Sequence, residues 1–91
     1  MYYMLFYDYV EDYLERRDAF REAHLAGANQ ALQSGELKMA GAFTERPYSA
    51  ALIFSVDDIS VIERFVADDP YVQNGLVTKW TIRPWNVVIG G

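Results

Sequence analysis

The side chain best suited to proton transfer is His24, the only histidine in the chain. An unperturbed imidazole titrates near neutral pH, so it can act as a general acid or base under physiological conditions. The alternative interpretation is a half-buried histidine whose ring is satisfied by a structural hydrogen bond. One histidine without any cysteine provides no ligand spacing for a structural zinc site, so we expect no metal.

The second candidate for chemistry is Asp69, which is followed by Pro70 and Tyr71. A carboxylate can orient a histidine and stabilise its imidazolium form. An Asp-Pro pair is also a favoured beginning for a helical turn, so Asp69 can cap the turn over residues 70–75. One carboxylate can fulfil both roles. Tyr71 belongs to a set of tyrosines that suit a core or an interface, from which one or two can line a pocket.

Three further residues are candidates for binding a substrate. Arg17 and Arg21 lie one helical turn apart, with Arg21 three residues before His24, and they suit a clamp for a carboxylate, phenolate or phosphate. They can equally extend into solvent or pair with the acidic neighbours Glu15, Asp18 and Glu22. Gly41 lies inside a strand-like segment, where a glycine marks either a bulge or a close approach of the backbone to a ligand.

The composition excludes several other classes of site. The absence of cysteine rules out disulfides, thiolate metal sites and cysteine nucleophiles. No serine has the context of a nucleophile elbow, and no glycine-rich loop matches phosphate binding. We therefore expect acid–base chemistry without a tightly bound cofactor.

Charge and hydropathy limit the partners. A formal net charge of −5 argues against nucleic acid and anionic membranes, which both require a basic surface. No apolar run approaches the ~18 residues that a membrane span needs, and the N-terminus lacks the basic region of a signal peptide. A chain without cysteine is compatible with a reducing cytosol, so we expect a cytoplasmic protein whose partners are a small molecule and a second copy of itself.

Hydrophobic periodicity predicts six elements in the order βαββαβ. They are a strand over 2–9, one long helix over 11–33, a strand over 37–43, a strand over 50–56, a helix over 60–68 and a strand over 76–83. This order is the split βαβ arrangement of ferredoxin-like domains, an α+β fold. We expect a single domain over residues 1–91, with a four-stranded antiparallel sheet and two helices on one face.

The same arrangement predicts how the candidate residues are positioned. His24 lies on the apolar stripe of the long helix with Arg17, and Asp69 lies at the end of the second helix. Because the two helices lie side by side on the sheet, residues on their facing sides can meet. The first strand carries Tyr and Phe on both faces, so the face without helices needs an apolar cover. Two sheets packed face to face in a dimer would provide that cover.

Several segments together resemble the YciI-like (YCII-related) family. They are Met1-Tyr-Tyr, Glu15-Arg-Arg, Arg21-Glu-Ala-His-Leu25, Ala40-Gly41, Ala67-Asp-Asp-Pro-Tyr-Val72, Gly75 and Ile82-Arg-Pro84. The resemblance implies a ferredoxin-like domain that dimerises through its sheets into an α+β barrel-like assembly, and a cleft with a His–Asp dyad at His24 and Asp69. One branch of the family resembles dehydrochlorinases that act on chlorinated hydroxyquinol-type aromatics. Two features depart from the pattern: Ala42 replaces a common proline, and the loop 44–49 is short.

Three hypotheses about function follow. The first is a small cofactor-free enzyme, a lyase (such as a dehydrochlorinase) or an isomerase, acting on a small phenolic or acidic molecule. In it His24 moves a proton, Asp69 orients His24, and Arg17 or Arg21 holds negative charge. The second is a non-catalytic dimer that binds a small ligand or serves as an accessory subunit. The third is a purely structural interaction protein, which predicts that His24 and Asp69 are far apart.

Overall fold

The computed structural model describes all 91 residues and has eight helices and strands. They are β1 (Tyr2–Tyr9), α1 (Tyr13–Arg16), α2 (Asp18–Gln33), β2 (Leu37–Ala42), β3 (Ser49–Ser55), α3 (Ser60–Asp68), α4 (Pro70–Gln73) and β4 (Val77–Trp85). The four strands form one antiparallel sheet in the order β2-β3-β1-β4. The predicted α+β, ferredoxin-like fold is therefore confirmed.

Strand β1 is an inner strand of the sheet and pairs with β3 on one side and with β4 on the other. Its residues are mostly aromatic and aliphatic, and none is glycine or proline. Strand β4 is an edge strand, and this explains how it accommodates Pro84, which has no N–H to donate. Of the two alternatives for Gly41, a bulge is not seen there, because Gly41 pairs regularly with Ala51 and the register of β2 shifts between Leu37 and Met39 instead.

The long helix predicted over 11–33 is in fact two helices that meet at Arg17. Arg17 keeps right-handed helical angles (φ −67°, ψ −28°), so the chain tightens at this point without leaving helical geometry. The N–H of Phe20 donates to the carbonyl of Arg17, three residues earlier, at 2.9 Å, which is a 3₁₀-type bond. Helix α2 ends at Gln33, where the sequence predicted the end of the long helix, and Gly35 follows with φ +85°.

Both long helices cover the same face of the sheet. Alternate residues of β1 and β3 point to that face, among them the fully buried Leu5 and Phe54, and α3 adds Ile62 and Val66. Ala28 of α2 packs against the same core. No helix covers the opposite face. None of the helices has the length and hydrophobicity that a membrane-spanning helix requires.

Candidate active site

The fold brings His24 and Asp69 into direct contact. The Nδ1 atom of His24 lies 2.8 Å from Oδ1 of Asp69, although the residues are 45 positions apart. Asp69 is the only charged residue in the buried set, with 4% of its surface exposed, and His24 is half-buried. This contact contradicts the hypothesis of a purely structural protein in which the two residues are far apart.

Local sequence explains the position of Asp69. Pro70 disfavours helical angles in the residue before it, so Asp69 has extended angles (φ −74°, ψ 120°) and ends α3. Pro70 then occupies the first turn of α4, and Oδ1 of Asp69 accepts a hydrogen bond from the N–H of Tyr71 at 3.0 Å. The same carboxylate therefore caps α4 and also contacts His24.

A third donor to Asp69 is the hydroxyl of Tyr7, which the sequence analysis did not identify. Tyr7 lies on β1, is fully buried, and donates to Oδ2 of Asp69 at 2.8 Å. Burial, and then the charge of Asp69, raise the pKa of Tyr7 far above its usual value, so the phenol keeps its proton. Strand alternation places Tyr7 towards the helices, but it does not distinguish Tyr7 from the other tyrosines on that face.

The ring of His24 is held on two sides. It stacks on the ring of Tyr71 with centroids 3.8 Å apart and planes 6° from parallel. Its Nδ1 faces a carboxylate oxygen, which accepts hydrogen bonds, so this contact assigns a proton to Nδ1, and in the neutral ring Nε2 then presents the lone pair. Burial raises the pKa of Tyr71 to about 12, which keeps the stacked phenol neutral. The site thus offers one free basic nitrogen.

All four predicted binding residues line one cavity of about 250 Å³ together with His24. The cavity wall includes three tyrosines and several small residues. Its lining consists of Tyr9, Tyr13, Arg17, Arg21, His24, Leu25, Ala28, Ala40, Gly41, Ala42, Ala50, Leu52 and Tyr71. Gly41 contributes only backbone, and a methyl group at its Cα would meet nothing within 4 Å.

The two arginines that line this cavity have no carboxylate partner in the chain. Neither Arg17 nor Arg21 forms an ion pair with any carboxylate, including the acidic neighbours considered above. The Nε atom of Arg17 is buried and has no hydrogen-bond partner, and its guanidinium carbon lies 5.4 Å from the ring centroid of Tyr13. Buried polar atoms are nearly always paired in folded proteins, so an unpaired guanidinium nitrogen suits an anionic ligand.

A second and larger cavity of about 450 Å³ is lined by both His24 and Asp69. It is a groove between α2, which contributes the small residues Ala23 and Gly27, and α3, which contributes Phe65. His24 lines both cavities. The chain offers no group of three or more His, Cys, Asp or Glu side chains that could hold a metal ion.

Residues 1–86 match the YCII-related domain family, and the chain therefore belongs to that family. One relative is an uncharacterised protein of Haemophilus influenzae strain Rd, which is 30% identical over 97 residues. That alignment covers 97% of this chain and 99% of the relative. The family match spans nearly the whole chain.

Two solved structures are similar in fold. One is 5-chloro-2-hydroxyhydroquinone dehydrochlorinase (TftG) from Burkholderia phenoliruptrix AC1100 in complex with 2,5-dihydroxybenzoquinone, with a TM-score of 0.82, 18% identity and 94% coverage of both chains. The other is a candidate antibiotic biosynthesis monooxygenase from Bacteroides thetaiotaomicron VPI-5482, with a TM-score of 0.56 and 17% identity. The second alignment covers 100% of this chain and 91% of the other. At these identities the likeness concerns the fold.

Proposed function

We propose that this protein is a small cofactor-free enzyme, a lyase or isomerase, that performs acid–base chemistry on a small acidic or phenolic molecule. The observation that carries the proposal is the contact of 2.8 Å between His24 and the buried Asp69, beside a cavity with two unpaired arginines. A histidine that served only to complete the core would not need a buried carboxylate partner together with a free Nε2.

In the proposed mechanism Nε2 of His24 removes a proton from an oxygen or carbon atom of the substrate. The electron pair stays on the substrate, and the guanidinium groups of Arg17 and Arg21 stabilise its negative charge. Asp69 stabilises the imidazolium that forms. In a lyase the electron pair then expels a leaving group; in an isomerase the same proton returns to a neighbouring atom.

The similarity to the dehydrochlorinase suggests which substrates to test first. That protein was solved with a dihydroxybenzoquinone, a planar ring with acidic hydroxyl groups. The cavity of this chain has aromatic walls, from Tyr9, Tyr13 and Tyr71, and a volume of about 250 Å³. Flat walls and positive charge suit an ionised, hydroxylated six-membered ring.

The test is a screen of chlorinated and unchlorinated hydroxyquinols and related phenols, following absorbance of the product and release of chloride. His24→Ala should retain the fold and reduce turnover by about 10²–10⁴-fold, the usual contribution of general acid–base catalysis. Asn29→Ala is the matched control, because Asn29 is exposed on α2 and does not line either cavity. Turnover that survives in His24→Ala at the wild-type rate would refute the role of His24. Affinity that follows the titration of His24 without any product would favour the ligand-binding alternative.

We also propose that the protein is a homodimer that buries the uncovered face of its sheet. Met39, Ile53 and Met4 form a row across β2, β3 and β1 on that face, and Met39 is 67% exposed. Such an apolar row on the surface of a small protein favours packing against the same apolar face of a second copy. Ile53→Lys should yield a monomer in light scattering, whereas Leu32→Lys, at an exposed leucine of α2, should remain dimeric. A wild-type protein that is monomeric at all concentrations would contradict the proposal.

A further inference from the structure

We propose that Tyr7 is a positioning residue of this site, whose buried hydroxyl fixes the carboxylate of Asp69 against His24 and thereby sets how tightly Nε2 holds a proton. The catalytic meaning of this inference rests on the proposed function. The contact itself and its effect on the titration of His24 can be measured without any turnover.

The position of Tyr7 makes it a rigid support. It lies within a strand that is paired on both sides, where its Cα partners are Ala50 and Trp80. The side chain is fully buried, so the hydroxyl has a fixed place in the core. The hydroxyl donates a hydrogen bond of 2.8 Å to Oδ2 of Asp69. The sheet is thus linked through this carboxylate to the helical layer.

The two oxygens of Asp69 have different roles. Oδ1 accepts from Nδ1 of His24 at 2.8 Å and from the N–H of Tyr71 at 3.0 Å, while Oδ2 accepts from Tyr7. Donors on both oxygens restrict rotation of the carboxylate about its Cβ–Cγ bond. Removing the hydroxyl of Tyr7 leaves Oδ2 buried without a donor, while the N–H of Tyr71 still holds Oδ1 against Nδ1 of His24.

Packing alone does not account for a hydroxyl at this position. A phenylalanine would fill nearly the same volume, and it would not require a hydrogen-bond partner in the core. A buried phenol must find an acceptor, and backbone carbonyls are the usual choice. The hydroxyl of Tyr7 instead bonds the carboxylate that contacts His24.

The hydroxyl also has an electrostatic effect of definite sign. Its hydrogen, which carries partial positive charge, points at the same carboxylate that stabilises the imidazolium of His24. The hydroxyl therefore competes with the imidazolium for the charge of Asp69. Without it, Asp69 is the stronger partner, and protonated His24 persists to higher pH.

Other titratable and charged groups surround this contact from every neighbouring element. They are Tyr9 on β1, Tyr13 on α1, Arg17 at the junction of α1 and α2, Arg21 on α2, Glu36 after α2, Arg64 and Asp68 on α3, and Tyr71 on α4. Tyr9 remains neutral because burial raises its pKa above the usual range. All these groups are unchanged in the comparison below, so their effects cancel.

The experiment is a titration of the imidazole C–H signals by NMR, and these signals need no assignment because the chain has one histidine. In Tyr7→Phe the midpoint should rise, since the hydroxyl no longer competes with the imidazolium for the charge of Asp69. The control is Tyr3→Phe, on the same face of the same strand, where no hydrogen bond of the hydroxyl exists in the chain. That variant should retain the wild-type midpoint. A midpoint in Tyr7→Phe that is unchanged or lower overturns the proposal.

Two further measurements make the outcome decisive. In an Asp69→Asn background, Tyr7→Phe should leave the midpoint unchanged, because the coupling passes through the carboxylate. Should Tyr7→Phe not fold, the wild-type protein carries the test: the hydroxyl proton of Tyr7 should exchange slowly, and its chemical shift should follow the titration of His24. A shift that ignores His24 contradicts the inference.

The result is independent of whether the proposed function is correct. If a substrate is found, the pH–rate profile of Tyr7→Phe should move with the NMR midpoint while that of Tyr3→Phe does not. If no substrate is turned over but the midpoint moves, the proposed function fails and the positioning role stands. If turnover is found and the midpoint does not move, the proposed function stands and the positioning role of Tyr7 fails.

Discussion

Replacing Asp69 with alanine removes the one carboxylate that accepts hydrogen bonds from β1, α2 and α4. Two of the donors, the hydroxyl of Tyr7 and the N–H of Tyr71, are buried and would lose their acceptor. Each buried group left unpaired costs about 1–3 kcal/mol, whereas the half-buried His24 can turn towards water. We therefore expect Asp69→Ala to lower the free energy of unfolding by about 2–6 kcal/mol.

That loss is large for a domain of this size. A chain of 91 residues has a total stability of roughly 5–13 kcal/mol, so Asp69→Ala should lose a large share of it. Asp69→Asn keeps the shape and can still accept from Tyr71 through its amide oxygen, so its expected loss is about 1 kcal/mol. Asp68→Ala is the matched control, because Asp68 is the exposed neighbour at the end of α3, and its change should be within about 0.5 kcal/mol.

The assay is urea unfolding followed by far-UV circular dichroism, extrapolated linearly to water. All variants must be measured at one protein concentration, since association of folded chains would make stability depend on concentration. The reasoning would be refuted if Asp69→Ala lost less than about 1 kcal/mol, or if Asp68→Ala lost as much as Asp69→Ala.

Three further predictions concern glycine and pH. Gly27→Ala should raise the free energy of unfolding by about 0.5–1 kcal/mol, because Gly27 lies inside α2 and an added Cβ meets nothing within 4 Å. Gly35→Ala should lower the free energy of unfolding by about 1 kcal/mol in the same urea assay, because Gly35 has φ +85°. The pKa of Tyr71 is raised from 10.0 to about 12 in the folded protein. The contribution of neutral Tyr71 to stability is therefore complete below pH 10 and is lost as the pH rises towards 12. The melting temperature should fall across that interval, and it should fall less in Tyr71→Phe. The hydrogen bond from the N–H of Ser60 lowers the pKa of Asp58. Asp58→Ala should therefore destabilise the protein at pH values above 3.8, the usual pKa, and the difference from wild type should vanish as the pH falls below the lowered pKa. An equal difference at low pH would contradict this cause.

The sequence was sufficient for the order of the elements, since the sheet and helices follow from periodicity and from residues with restricted backbones. Pro70 illustrates this best, because it ends α3 and begins α4 wherever the rest of the chain lies. The same restriction places Asp69 at the junction, so a cap could be predicted from three residues. The meeting of His24 and Asp69 also followed, once two helices were placed on one face of the sheet.

Local sequence did not predict the break at Arg17, because neither glycine nor proline marks it. Nor did it predict the environment of the arginines. Arg17 has acidic neighbours within one helical turn, and only the tertiary structure places its Nε in a buried position without a partner. The bulge in β2 likewise arises from pairing with β3, away from the glycine that suggested it.

By itself, then, the sequence determined which side chains can do chemistry and which elements carry them, because residue type and periodicity are local properties. Only the tertiary structure decided that Tyr7, one tyrosine among seven, bonds the carboxylate beside His24. That choice depends on the register of β1 against its neighbours and on the height of α4 above the sheet. Neither quantity is encoded in a stretch of chain short enough to be interpreted alone.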